Sequence, residues 1–311
     1  MISNSQNPIL IVAGPTASGK SGLALAAADK YDGVIINCDS MQLYAELRLI
    51  TARPLEEDEA KASHKLYGVM PAAEACSAGI WRDLAVSEIE ACWRAGKLPI
   101  ITGGTGLYIK ALMEGLSEIP DIPEEIREEV MARREEIGAE AFHQELAEFD
   151  PKSAERLNPT DSQRMIRAYE VHLATERSLT DWHQDAPTTP PLKANYQTVI
   201  FEPPREELYA KCEARFDWMI ANGALEEVRA LMALNLDPNL PAMKALGVPE
   251  LIAYLQDELA LEDAVKAAKQ ATRRYAKRQM TWFRNQIVQN HRVNAQYSER
   301  LLPEIFSKIV I

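Results

Sequence analysis

Near its start the chain reads ILIVAGPTASGKSGLALAAADKY, and the segment from Gly14 to Ser21 has the form G-x-x-x-x-G-K-S. No other feature limits the fold so tightly. A loop of this type works only between a buried strand and a helix, where its N–H groups and the helix N-terminus converge on an anion. The β-branched run before it and the alanine-rich run after it supply both elements. Gly14, Pro15, Thr16, Ala17, Ser18, Gly19, Lys20 and Ser21 are therefore expected to cradle phosphate groups. Lys20 would neutralise terminal phosphate oxygens, and the Ser21 hydroxyl would ligate Mg²⁺.

The segments GVIINCDS and LPIITGG repeat the apolar, β-branched character of the first strand, with helical patterns between them, and QTVIFEP adds a fourth such run. Strand and helix in alternation predict a parallel sheet covered on both faces, an α/β fold of the P-loop NTPase type. Between the third and fourth strands lies a stretch without strand signals, from about Glu118 to Lys193. It begins at Pro120 and Pro123, carries a charged amphipathic pattern, and returns through the Pro/Thr-rich DAPTTPPLKAN. Thr160 and Gln163 are spaced as a capping box for a helix running to about Glu176. The expected organisation is a core from 1–117, a mostly helical insertion domain over 118–193, and completion of the core over 194–311 by one further strand and helices.

A chain of 311 residues with 47% hydrophobic and 26% charged residues can bury a large core. Its net charge of −12 excludes a generally basic coat for membranes or nucleic acid, though not a local basic groove. Cys38, Cys76, Cys92 and Cys212 are scattered, which predicts buried free thiols and a cytoplasmic setting. MISNSQNP places no positive charge before a short apolar run, and no stretch is long enough to span a membrane. The five histidines show no metal-ligand spacing.

The phosphate loop does not state the chemistry, which depends on its companions. Asp39, in VIINCDSMQLY, is the acid at the end of an apolar strand. It could organise magnesium, act as a base toward a substrate other than water, or cap a turn. In ITGGTGLYIKAL the glycines keep a strand-to-helix turn open and leave Thr105 near the carboxyl ends of the strands, where open α/β sheets bind ligands. From Lys266 to Arg284 the chain reads KAAKQATRRYAKRQMTWFR, without an acid in an otherwise acidic protein. A basic helix with interleaved Tyr275, Trp282 and Phe283 points to a polyanion, with Lys277 and Arg278 among its cations. Arg164 and Arg167 share a helix face in the insertion, where contact with a polyanion and salt bridging to acidic helices compete.

Taken together, GPTASGKS, CDSMQLY, ITGGTGLYIKAL, TDSQRMIRAYEV, EARFDWMIANGALEEV and RRYAKRQMTWFR resemble, in order and spacing, the tRNA dimethylallyltransferases of bacterial type, over almost the whole chain. The resemblance implies transfer of a dimethylallyl group from dimethylallyl diphosphate to N6 of the adenosine 3′-adjacent to the anticodon, in tRNAs reading U-starting codons. It implies Mg²⁺ as cofactor, a tRNA anticodon stem-loop as partner, no membrane, and a monomer. In that pattern the phosphate loop holds a diphosphate that leaves as pyrophosphate. Asp39 takes the amine proton, Thr105 contacts the adenosine, and Arg215 adds charge at the pyrophosphate. Contacts to tRNA carry over to Asp39, Ser40, Met41 and Gln42, to Arg127, and to Gln163, Arg164, Met165, Ile166 and Arg167. They also carry over to Ala245, Leu246, Gly247, Val248, Pro249 and Glu250. The chain departs from its relatives in reading RLITARP where they read DIGTAKP, losing a glycine, and in placing Pro249 where a basic residue is common. The competing readings are an adenylate isopentenyltransferase using free AMP or ATP, a small-molecule kinase, and a non-catalytic RNA-binding NTP sensor.

Overall fold

Strand β1 (Pro8–Ala13) alternates Ile9, Ile11 and Ala13 toward one apolar layer with Leu10 and Val12 toward another, and every one of these residues is buried. Only a sheet covered on both faces accommodates such a strand. The computed structural model of the protein describes residues 7–185, 188–287 and 291–310. The opening hexapeptide and residues 186–187 of the Pro/Thr connector lie outside the described residues.

Along the chain, β1 is followed by α1 (Lys20–Tyr31), β2 (Gly33–Asn37), α2 (Glu56–Glu59), β3 (Ser63–Lys65), α3 (Ala78–Arg94), β4 (Leu98–Gly103) and α4 (Gly106–Glu114). Then come α5 (Glu124–Phe149), α6 (Pro151–Arg156), α7 (Ser162–Thr175) and α8 (Leu179–Asp185). The chain returns through β5 (Asn195–Phe201), α9 (Arg205–Ala221), α10 (Ala224–Met232), α11 (Val248–Leu255), α12 (Leu261–Gln286), β6 (His291–Val293) and α13 (Leu302–Lys308). The strands form one sheet in the order β3-β2-β4-β1-β5-β6, parallel throughout. The sheet is the doubly covered α/β sheet expected from the sequence. Helices α3, α4 and α12 pack on one face through Trp81, Ile89, Ile109 and Phe283, and α1 and α13 on the other through Leu23, Ala27 and Ile305.

Two strands differ from expectation. β3 and β6 are three-residue edge strands, too short for a period-two signal, and β6 interrupts a region expected to be helical. The capping box at Thr160 does not form. Helix α7 starts at Ser162 with Asp161 as N-cap, and Thr160 instead uses its N–H and hydroxyl to bond the Asn158 side-chain oxygen. Among the described residues no helix is long and apolar enough to cross a membrane. The four cysteines are free, three of them buried.

The chain separates into two compact units, one formed by Met1–Met113 with Pro191–Ile311 and one by Glu114–Pro190. The second unit is helical, with its own core of Val130, Phe142, Leu146, Ala154, Met165 and Ala168. Its long helix α5 bends at Gly138, whose φ of 78° is outside the helical region.

Candidate active site

Three turns leave the carboxyl edge of the sheet side by side, after β1, β2 and β4, because β1 and β2 both pair with β4. The first is the phosphate loop. It enters α1 through Gly19, whose φ of 85° is the left-handed conformation that a side chain would disfavour. The second carries Asp39. Fully buried Asn37 fixes it: the side-chain oxygen accepts from the Asp39 N–H at 2.9 Å, and the side-chain NH₂ donates to the Asp39 and Leu66 carbonyls at 3.0 and 2.9 Å. The Asn37 carbonyl in turn accepts the indole N–H of Trp81 at 2.8 Å. Asp39 Oδ1 accepts from Met41 N–H at 3.1 Å, an Asx-turn, so capping and a chemical role coexist in one carboxylate. The third turn carries Thr105, whose N–H donates to the Cys38 carbonyl at 3.1 Å and whose hydroxyl oxygen accepts from Ser40 N–H at 3.0 Å.

Between these turns lies a cavity of about 420 Å³, lined in part by Thr16, Lys20, Ser21, Asp39 and Arg215. Burial lowers the Lys20 ammonium to a pKa of about 8, with Asp39 opposing the shift and Arg215 reinforcing it. Burial also lowers the Arg215 guanidinium, which stays charged and donates to the Thr16 hydroxyl. Two half-buried cations beside loop N–H groups form a site that gains from an anion of more than one charge.

A second cavity of about 250 Å³ shares Thr16, Asp39 and Arg215 with the first and continues to Met41, Ile50, Phe216, Leu246, Tyr275 and Arg278. It is the more apolar of the two. The Tyr275 phenol on its wall hydrogen-bonds Thr105, and burial, helped by the Asp39 charge, holds it above its ordinary value. Asp39 thus stands at the junction of a cationic cavity and an apolar one.

The comparisons with known proteins converge on this arrangement. The IPP transferase family model matches residues 42–286. A tRNA dimethylallyltransferase of Paramagnetospirillum magneticum is 52% identical over 308 residues, covering 99% of this chain and 98% of that protein. The chain belongs to this family. A tRNA isopentenylpyrophosphate transferase structure from Staphylococcus epidermidis shares 34% identity with a TM-score of 0.68, covering 97% of this chain and 98% of that one. A eukaryotic dimethylallyltransferase described as acting on tRNA shares 25% identity with a TM-score of 0.75, covering 98% of this chain and 73% of that one. The protein is accordingly an enzyme, a transferase of the tRNA dimethylallyltransferase family.

Seen as a member of that family, the chain brings most of the expected core residues together. Thr16, Ala17, Gly19, Lys20, Ser21, Asp39, Gln42 and Arg215 line the first cavity, and Ser40, Met41, Ala245, Leu246 and Arg278 line the second. Gly14, Pro15 and Ser18 shape the loop from behind, Ser18 being fully buried. Val248 is fully buried in the core of α9, α10 and α11, and Met165 in the core of the helical unit, so their side chains leave the expected RNA-facing set. Gly247 is pressed against Phe216 and Ile50, Pro249 is exposed, and Glu250 lies in the first turn of α11. In the helical unit, Gln163 and Arg164 are exposed and Ile166 packs on the core. Buried Glu170 pairs with Arg127 at 3.5 Å and Arg167 at 2.7 Å, while Arg164 pairs with Asp161 at 3.8 Å. Salt bridging therefore claims part of each arginine.

The basic helix α12 is also divided. Lys269 pairs with Asp217 at 2.6 Å, Arg273 with Glu213 and Arg284 with Glu202, so part of its charge is already neutralised. Lys277 and Arg278 are exposed and have no ion-pair partner among the described residues. The lost glycine leaves no left-handed strain behind: Ile50 stands in its place without a positive φ, and the left-handed residue of that loop is Ala52 at φ 55°. The Ile50 side chain instead fills the wall of the second cavity.

Three residues escaped the sequence reading. Lys211, one helical turn before Arg215 on α9, adds a further cation to the first cavity. Glu227 on α10 accepts from the N–H groups of Arg48, Leu49 and Ile50 at 3.0, 2.8 and 3.0 Å, and so holds the loop whose Thr51 and Ala52 carbonyls accept from the Gln42 side chain. Gln279 on α12 bonds two of the three turns. The i, i+4 spacing could have flagged Lys211; the other two depend on contacts remote in sequence.

Proposed function

We propose that the protein transfers the dimethylallyl group of dimethylallyl diphosphate to the exocyclic N6 amine of the adenosine 3′-adjacent to the anticodon, in tRNAs reading U-starting codons, releasing pyrophosphate. The observation that carries this reading is the position of Asp39, shared by a cavity built for a polyanion and an apolar cavity beside it. The phosphate loop, Lys20 and Arg215 hold the diphosphate and stabilise the charge it gains as the allylic C–O bond breaks. The adenine nitrogen forms the new C–N bond and its proton passes to the Asp39 carboxylate. Thr105 and Tyr275 border the place for the base, which leaves the anticodon-loop stack to enter.

Mg²⁺ fits the donor set. Ser21 and Asp39 offer hard oxygens on the diphosphate cavity, and the described residues contain no cluster of three or more ligands that would form an all-protein cage. A magnesium ion held there by Ser21 and phosphate oxygens would neutralise charge on the leaving diphosphate. Exposed Lys277 and Arg278, together with Gln163, Arg164, Arg167 and Arg127 of the helical unit, support a tRNA anticodon stem-loop as partner of a cytoplasmic, monomeric enzyme. The test is transfer of label from dimethylallyl diphosphate, with Mg²⁺, into unmodified tRNA, with AMP and ATP as parallel acceptors. Label in tRNA alone is expected; label in AMP or ATP, or in neither, overturns the reading.

A further inference from the structure

Buried polar side chains are retained where their hydrogen bonds are complete. On the buried face of α12, among Ala268, Ala276 and Phe283, sits Gln279, 5% exposed. Its Oε1 accepts from the Thr16 N–H at 2.8 Å, and its Nε2 donates to the Gly104 carbonyl at 2.8 Å. Thr16 is in the phosphate loop and lines both cavities. Gly104 is the residue before Thr105, in the turn after β4. One amide therefore spans the donor loop and the acceptor turn, using an acceptor for the first and a donor for the second. The fit is close: a Cβ on Gly104 would lie 2.1 Å from Gln279 Nε2, so a larger residue there must displace the amide.

Packing alone would be served by an apolar side chain of the same length, without the cost of burying an amide. The Thr16 N–H is also committed to Gln279, which leaves the phosphate to the other N–H groups of the loop and fixes where the Thr16 hydroxyl meets Arg215. We infer that Gln279 is a positioning residue that sets the separation between the diphosphate loop and the Thr105 turn. The inference rests on the proposed transfer reaction and assigns this amide a part in it.

The test uses the full-length protein with dimethylallyl diphosphate and tRNA, comparing Gln279→Met, Gly104→Ala and the double variant, each first shown by thermal unfolding to be folded at the assay temperature. Gln279→Met is expected to raise the KM for dimethylallyl diphosphate by about tenfold, the scale of one or two lost hydrogen bonds, and to lower kcat, with the KM for tRNA unchanged. Gly104→Ala pushes on the same bond from the other side and is expected to reproduce this split, with the double variant no worse than the more impaired single one. Wild-type constants in Gln279→Met, a loss confined to the melting temperature, or multiplying effects in the double variant would each overturn the inference. Absence of transfer in the wild type would instead reject the reaction itself.

Discussion

Lys20 should make diphosphate binding depend on pH in a range where most lysines are silent. Burial brings its pKa down to about 8 in the open site, Arg215 pushes the same way, and Asp39 opposes both. A bound diphosphate supplies the missing counter-charge and favours the ammonium, so its pKa rises on binding. The lysine is then protonated in both states at neutral pH and affinity is at its full value. Above about pH 8 the free site has lost the proton that the complex requires, so binding must take one up. Affinity should be about twofold weaker near pH 8 and about tenfold weaker near pH 9, with proton uptake approaching one per ligand. The assay is calorimetric titration of inorganic pyrophosphate across this range in two buffers of different ionisation enthalpy. Lys20→Ala serves as the control that carries the ligand's own titration. A constant ratio of wild-type to Lys20→Ala affinity through about pH 9 would refute the argument, because it would mean the buried ammonium keeps its proton unaided.

Other substitutions separate the roles of neighbouring groups. Asp39→Asn keeps an acceptor for the Met41 N–H, so pyrophosphate binding should stay within about twofold while transfer to tRNA falls at least about 100-fold; lost pyrophosphate binding would move Asp39 into the magnesium role. Glu227→Gln leaves one of three bound backbone N–H groups without an acceptor and should lower unfolding free energy in urea by about 1–3 kcal/mol; an unchanged denaturation midpoint would contradict this. Lys277→Ala should weaken tRNA binding and reduce its log–log salt slope by about 0.7–0.9, whereas Lys269→Ala, already paired with Asp217, should change the slope less; equal changes would reject the division of α12.

The parts of this fold legible in the sequence are those that local chemistry determines. The central strands announce themselves because both faces are buried, and the phosphate loop because its backbone demands fixed residue types at fixed spacing. Asp39 and Thr105 follow from these, since each sits one turn beyond a buried strand. The edge strands β3 and β6 carry too few residues for any period. The sign of α12 was readable, but its pairing was not, since Glu213, Asp217 and Glu202 reach it from α9 and the end of β5. The Thr160 capping box failed to a nearer competitor, Asn158, which the spacing rule does not weigh.

Gln279 marks the limit of reading the site as a set of motifs. The phosphate loop is a local pattern, yet its Thr16 N–H is held by a side chain 263 residues away, on the helix that also presents Tyr275 and Arg278 to the second cavity. The phosphate loop is therefore completed by the same element that lines the second cavity. An N-terminal fragment carrying the whole G-x-x-x-x-G-K-S loop would lack the acceptor that orients Thr16, and with α9 missing it would also lack Arg215 and Lys211. In an isolated P-loop domain the motif is enough to bind phosphate. On the proposed reading the grip on the diphosphate draws on both ends of the chain, and so depends on the folding of the helix that lines the second cavity.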